Sequence, residues 1–187
     1  MKTWIISDLH HFHANIIKYS GRPYTNINEM YLTLVENWNK TVKPEDIVYF
    51  LGDLRMGRHT ELVDKKIVNE LAGHKRMILG NHDKRFNVYS PEGNKEFSVN
   101  SDEQAIKYWK RMGFEEVFAQ PIVLDNYFIL SHEPINGVNH SQIFANIHGH
   151  THDINMTNGN YFNASVENID YKPIEFDKIK EKFSLEN

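Results

Sequence analysis

Hydrophobic and polar positions along the first part of the chain alternate between two patterns. Short apolar runs, typical of buried strands, are followed by segments whose apolar residues recur at helical spacing. The runs predict strands at 2–7, 47–51 and 75–79, and the spaced segments predict helices at 13–19, 28–41, 61–71 and 102–112. Asn26 or Asn28 is expected to cap the helix over 28–41, and Ser101 or Asp102 the one that ends before Gly113. Strands and helices in alternation predict βαβ units and a largely parallel sheet.

The pattern changes after Gly113, where short apolar runs follow one another without room for long helices. Asp125-Asn126 between two such runs predicts a hairpin, so we expect an antiparallel or mixed sheet. Strands are predicted at 116–119, 122–124, 127–130, 144–147, 161–163 and 171–176, and a last helix at 177–183. Residues 84–101 show neither period and predict a long loop that could form one wall of a pocket. The fold class is α/β, α+β in part, with two packed sheets in one domain over 1–187.

Polar clusters follow five of the predicted strands. They contain Asp8 and His10, Gly52 and Asp53, Gly80 to Asp83, His132, and Gly149 to His152. Parallel sheets form their sites beyond the carboxyl ends of the strands, so we expect these side chains to converge. In an extended strand residues i and i+2 share a face. The D-x-H and H-x-H pairs are therefore expected to point the same way.

Each cluster also has an ordinary structural interpretation. Asp8 and Asp53 could cap helices, Asn81 could be a turn residue, and His150 with His152 could lie on an exposed strand. These would be separate coincidences, whereas one shared site explains all five. Three histidines outside these clusters are interpreted as surface or core residues: His59, His74 and His140.

Composition narrows the chemistry of such a site. The 187 residues include 11 histidines and no cysteine, so a metal would be held by nitrogen and oxygen ligands. The net charge of −4 provides no global basic field for nucleic acid, although a local basic groove stays open. No apolar run approaches the ~20 residues that span a bilayer. We expect a cytoplasmic protein with no membrane partner; the sequence does not indicate its oligomeric state.

The donor set is mixed imidazole and oxygen, which suits transition metals better than Ca²⁺ or Mg²⁺. It is too large for one tetrahedral zinc and about sufficient for two ions that share Asp53. Mn²⁺ is the favoured metal, with Zn²⁺, iron or Ni²⁺ as alternatives. Two neighbouring ions of this kind are well suited to hydrolysing phosphate esters.

The ordered motifs D-x-H, G-D, G-N-H-D, a single histidine and G-H-x-H resemble the calcineurin-like metallophosphoesterases. The resemblance implies a two-sheet mixed sandwich flanked by helices, and a nucleophilic hydroxide that bridges two ions. It assigns one ion to Asp8, His10, Asp53 and His152, and the second to Asp53, Asn81, His132 and His150. His82 corresponds to the catalytic histidine, which contacts the scissile phosphate and can protonate the leaving oxygen. Asn81 is counted with it as catalytic, and Asp83 is expected to orient the loop.

Three further residues are candidates for substrate contacts. The stretch D-L-H-H-F-H-A-N-I-I-K with Arg22-Pro23-Tyr24 is similar to a small bacterial and phage subgroup, which suggests His13 and Arg22. His13 could instead cap a helix, and Arg22 could pair with a surface carboxylate. Protein phosphatases of the family have G-D-x-V-D-R-G where this chain has Gly-Asp-Leu-Arg-Met-Gly, which argues against a phosphoprotein substrate. Arg55 in that segment either binds phosphate or faces solvent.

The favoured function is metal-dependent hydrolysis of a phosphodiester or a nucleotide-like small molecule. A phosphomonoesterase or a nuclease on the same site is the first alternative. A catalytically silent metal-binding module is less favoured because His82 is present. A structural metal site is less favoured because such sites are closed and tetrahedral, whereas this donor set is too large.

Overall fold

The computed structural model describes residues 1–138, 144–157 and 159–184; His140 lies outside these ranges. The helices are α1 Ala14–Tyr19, α2 Ile27–Thr41, α3 Glu61–Glu70, α4 Asp102–Met112 and α5 Phe176–Ser184. The strands are β1 Thr3–Ile6, β2 Ile47–Phe50, β3 His74–Ile78, β4 Phe86–Tyr89, β5 Lys95–Val99, β6 Glu116–Phe118, β7 Ile122–Leu124, β8 Phe128–Leu130, β9 Ala145–His148, β10 Tyr161–Asn163 and β11 Ile174–Glu175. The mixture of helices with several sheets confirms the α/β class.

The first sheet has the strand order β11-β1-β2-β3-β6. Its inner pairs are parallel and only the edge strand β11 is antiparallel, as the alternating pattern predicted. Ile6 pairs with Phe50, which pairs with Met77, and all three are buried. Because these strands run together, the segments that follow β1, β2 and β3 leave the sheet at the same edge.

The second sheet has the order β10-β9-β8-β7 and is mixed, as expected. β7 and β8 are antiparallel, whereas β8, β9 and β10 run parallel. Asp125 and Asn126 both have φ near +56°, the left-handed conformation that a type I′ hairpin turn requires. The two sheets meet at the polar edge, where the Ser7 amide donates to the Ala164 carbonyl over 2.9 Å.

The prediction of a long loop over 84–101 was wrong. This segment contains the antiparallel hairpin β4–β5, with Phe86 opposite Val99 and Val88 opposite Phe97. Val88 and Val99 are buried whereas Phe97 is exposed, and the register shifts between Val88 and Tyr89. Because the strands are short and partly polar, the sequence of this segment shows no clear two-residue alternation.

Helix starts follow the predicted capping chemistry. The Asn26 side chain accepts hydrogen bonds from the amides of Asn28 and Glu29, and the Ser101 side chain accepts one from Gln104. The last strand is shorter than the predicted 171–176, because Tyr171 has a positive φ and lies in a turn. None of the helices in the described ranges combines the length and apolar character needed to cross a bilayer.

Candidate metal centre

The side chains that follow five separate strands converge at one edge of the structure. The Asp53 Oδ2 atom lies 3.5 Å from Nε2 of His10 and 3.5 Å from Nε2 of His132. Around it, donor atoms form three overlapping groups, each within 4.8 Å. The groups are Asp8, His10 and His152; His10, Asp53 and His82; and Asp53, His132 and His150.

The backbone conformation that brings these donors together differs from the extended one expected. Asp8 and His10 have φ of 60° and 49°, and His150 and His152 have φ of 68° and 51°. Asp53, at 59°, also lies in the left-handed region, which non-glycine residues seldom adopt. The i, i+2 argument from extended strands was therefore wrong, although each pair still converges. Backbone strain of this kind concentrates at functional sites, where the surrounding structure holds it in place.

The motif glycines allow the loops to approach one another. A Cβ atom at Gly80 would collide with the Asp53 side chain, and one at Gly149 would collide with Ser7 and Asp8. Substitution at either position would push the loops apart. Glycine is needed here because of close packing between loops that carry donors.

Several buried donor atoms lack protein partners, which is the condition a bound cation would satisfy. Asp8 is completely buried, and its Oδ2 accepts hydrogen bonds from the His150 amide and the Ser165 hydroxyl. Its Oδ1 and both ring nitrogens of His10 have no hydrogen-bond partner among the described residues. Such groups are costly to bury unpaired. The donor set therefore fits one or more transition-metal ions.

A second partner outside the cluster orients the His132 imidazole toward it. Nδ1 of His132 lies 2.8 Å from the carbonyl oxygen of Leu51, which can only accept. The proton is thus placed on Nδ1, and Nε2 is left with a lone pair that faces Asp53 and Asn81. The Asn81 Oδ1 atom lies 3.0 Å from that Nε2 and 3.1 Å from Nδ1 of His150. Partners of this kind typically fix metal-binding histidines.

The electrostatics of the metal-free cluster favour bound positive charge. Burial raises the pKa of Asp53 to about 7, and the nearby Asp8 carboxylate adds to this shift. Burial also lowers the pKa of His10 to about 4, which keeps its ring neutral near pH 7. Asp8 behaves differently: burial alone would raise its pKa, but His10 and His132 outweigh it and lower the pKa below the usual range. A neutral His10 beside an ionised Asp8 is the protonation state that metal binding requires.

His82 lies at the open side of the cluster. Its amide donates to Asp53 Oδ1 over 3.0 Å, while its side chain is 33% exposed and its Nε2 lies 4.0 Å from Asp53 Oδ2. Burial lowers the pKa of His82, and protonation of His132 or His150 would lower it further. Because a third of the side chain is exposed, the ring borders open space next to the donors.

The three predicted substrate contacts have different environments. His13 lines the same cleft as the donor cluster, and its ring lies 5.4 Å from that of His10. Its backbone precedes α1, but its side chain makes no cap hydrogen bond. Arg22 is buried and donates to the carbonyls of Asp8 and Leu9 and to Glu167. Arg55 is also buried, paired with Asp64, so it does not face solvent.

The interpretations of the other described histidines hold. His59 is buried, and its Nδ1 lies 2.8 Å from Asp64. His74 is exposed and pairs with Glu115. Neither residue belongs to a group of donors that could hold a metal ion.

Two carboxylates support the donors, and sequence reasoning missed one of them, Glu167. Glu167 Oε1 lies 3.0 Å from Nδ1 of His152 and accepts from Nε of Arg22 over 2.9 Å. Asp83 accepts from the amides of Gly80, Asp53 and Leu54, and thereby ties two of the loops together. Asp83 directly follows the predicted catalytic histidine and was expected to orient the loop, whereas only the fold brings Glu167 to His152. The sequence signal for Glu167 was its position just after the predicted strand at 161–163.

Replacing Glu167 with glutamine is expected to weaken one metal-binding step by about 10- to 100-fold, because His152 loses the charge that orients its ring. Arg22 would keep its two carbonyl acceptors. Titration calorimetry with Mn²⁺ on the metal-free protein measures the effect directly. Glu175→Gln is the matched control, since Glu175 pairs with Lys2 on the edge strand. Equal Mn²⁺ affinities for the two variants would contradict an orienting role.

Comparisons with known proteins identify relatives of this chain. A family model described as calcineurin-like phosphoesterase matches residues 1–182. Uncharacterized protein MJ1445 of Methanocaldococcus jannaschii is 34% identical over 181 residues, covering 95% of this chain and 89% of that protein. The Gene 66 protein of Mycobacterium phage D29 is 36% identical over 88 residues, 46% of this chain and 42% of the phage protein. The crystal structure of AQ665, a protein of unknown function from Aquifex aeolicus, has a TM-score of 0.63 at 24% identity. That likeness covers 96% of this chain and 98% of AQ665, and it concerns the fold alone.

Proposed function

The chain belongs to the calcineurin-like phosphoesterase family, and from that premise we propose that it is a phosphodiesterase that works with two divalent ions. Family membership itself supports metal-dependent hydrolysis of phosphoester bonds. The observation that carries the two-ion proposal is the position of Asp53 Oδ2, equidistant at 3.5 Å from His10 and His132. A carboxylate between two sets of donors is suited to bridge two ions.

In this proposal the donors divide as the motifs suggest. One ion takes Asp8, His10, Asp53 and His152, and the other takes Asp53, Asn81, His132 and His150. The mixed nitrogen and oxygen set favours Mn²⁺, with Zn²⁺, iron or Ni²⁺ as alternatives. When bound, the two ions would supply a bridging hydroxide as nucleophile and neutralise charge on the phosphate.

The protein side chains supply positioning and proton transfer. His82 lies at the open face, where its protonated ring would contact the phosphate and give a proton to the leaving oxygen. Asn81, counted with it as catalytic, has its Oδ1 between His132 and His150. His13 lines the same cleft and is available for a substrate contact. Arg22 and Arg55 support the site from within, since their guanidinium groups are engaged by buried carboxylates.

The proposed substrate is a small phosphodiester or nucleotide-like molecule, with nucleic acid still open and no membrane partner. The cleft that contains the donors has a volume of about 440 Å³ and is lined by His13, His82, His150 and neighbouring residues.

We propose further that 1–187 form one domain whose two main sheets stack as a sandwich flanked by helices, and that the protein works in the cytoplasm.

Bis-p-nitrophenyl phosphate is expected to be cleaved with a higher kcat/KM than p-nitrophenyl phosphate in the presence of Mn²⁺. A monoester dianion carries an extra charge, and no arginine or lysine among the described residues lines the donor cleft. Parallel steady-state assays of the two esters measure the preference. A higher kcat/KM for the monoester would replace the diesterase proposal with a phosphomonoesterase. Mn²⁺ binding without turnover of either ester would favour the silent binding module.

A further inference from the structure

A second and larger cleft adjoins the donor cluster. It has a volume of about 590 Å³ and lies between residues 55–59 and β4. The His59 carbonyl accepts from the Tyr89 amide over 3.0 Å, which ties the two walls together. His82 lines both this cleft and the donor cleft. The two clefts therefore meet at His82.

The lining of this cleft is positively charged, whereas the chain as a whole has a net charge of −4. Three arginines contribute to it and none of its described lining residues is a carboxylate: Arg55, Met56, Gly57, Arg58, His59, His82, Arg85, Phe86, Asn87 and Tyr89. The lining thus has the charge that would attract an anionic group.

The three arginines differ in how far their charge is already compensated. Arg55 pairs with buried Asp64, and Arg85 reaches Asp102 over 3.1 Å at an exposed position. Arg58 has no carboxylate partner among the described residues. Its guanidinium lies 4.5 Å from the centre of the Tyr89 ring and packs against Gly93 in the hairpin turn. Arg58 is therefore held in place while its charge remains available, which is the arrangement that favours bidentate binding of a phosphate.

We propose that this cleft binds a second phosphate of the substrate, with Arg58 as its principal contact and Arg85 as a weaker one. The inference rests on the proposed function, because His82 is taken to protonate the leaving oxygen. The group that lies beyond His82 is then the leaving group. The natural substrate is accordingly a phosphodiester whose leaving group is itself phosphorylated, as in a nucleotide that carries a further phosphate.

Inhibition of bis-p-nitrophenyl phosphate hydrolysis by two nucleotides tests this site in the Mn²⁺-loaded protein. Adenosine 3′,5′-bisphosphate and adenosine 5′-monophosphate differ by one phosphate. The bisphosphate is expected to bind the wild type about tenfold more tightly, as one charge-assisted contact to phosphate would give. In Arg58→Ala the two inhibition constants should become equal within about twofold.

Arg111→Ala is the matched control, since Arg111 is exposed and also lies over an aromatic ring, Phe97, but does not line the cleft. It should keep the full preference for the bisphosphate. Equal inhibition of the wild type by both nucleotides, or a preference that survives Arg58→Ala, would overturn the inference.

Failure of the proposed function would give a different result. If the wild type does not cleave bis-p-nitrophenyl phosphate, calorimetric titration with the bisphosphate still measures the cleft. Binding that weakens about tenfold in Arg58→Ala would then support the phosphate site without the catalytic proposal. Binding that is unaffected by Arg58→Ala would refute the phosphate site.

Discussion

His82→Ala is expected to lower kcat for phosphodiester hydrolysis by about 10²- to 10⁴-fold, the usual contribution of a positioned proton donor. The loss should be larger for an alkyl leaving group than for p-nitrophenolate, which needs less help from a proton. Mn²⁺ stoichiometry should stay unchanged, because the side chain is one third exposed and lies outside the two proposed ligand sets. Steady-state assays on both types of ester, with elemental analysis of each variant, measure these effects.

His74→Ala provides the matched control for this experiment. His74 begins β3 and pairs with Glu115 at the surface, whereas His82 follows the opposite end of that strand. It should retain wild-type kinetics. The distances also allow His82 to serve as a ligand together with His10 and Asp53. Loss of one Mn²⁺ ion from His82→Ala would favour that assignment over the role in proton transfer.

Much of the site could be predicted from sequence because its donors follow strands. Parallel strands end at a common edge, so Asp8, Asp53 and Asn81 had to leave the sheet together. The apolar runs that precede them made those strands visible in the sequence. The conformation of the loops was not visible, since alternation says nothing about residues beyond a strand end. The positive φ values at Asp8, His10 and Asp53 depend on loop packing around Gly80 and Gly149.

The supporting role of Glu167 could not be predicted because it depends on distant contacts. Glu167 lies 145 positions from Arg22 along the chain, and the pair forms only when β1 and β10 are in place. The hairpin β4–β5 was missed for a different reason, since its short strands have one polar face. Both omissions matter for function: Glu167 orients a proposed ligand, and β4 forms a wall of the larger cleft.

Asp53→Asn is expected to abolish stoichiometric binding of both ions together, and with it nearly all turnover. The asparagine oxygen can still accept from the His82 amide, but the charge between His10 and His132 is lost. The same substitution should raise the Tm of the metal-free protein at pH 8. Burial raises the folded-state pKa of Asp53 to about 7, above its unfolded value, so its ionisation opposes folding as the pH rises between these two values. Calorimetry with Mn²⁺ and thermal unfolding in a chelator measure the two effects.

Asp46→Asn is expected to show the reverse behaviour. Asp46 precedes β2, whereas Asp53 follows it, and its carboxylate accepts from Lys2, Trp4 and Lys43. Burial alone would raise the pKa of Asp46, but these donors outweigh it and lower the pKa to about 2. Its ionised form therefore stabilises the fold at pH 8, and the substitution should lower Tm while both ions still bind. If Asp53→Asn lost only one ion, Asp53 would not be a bridge, and if it also lowered Tm, its main role would be structural.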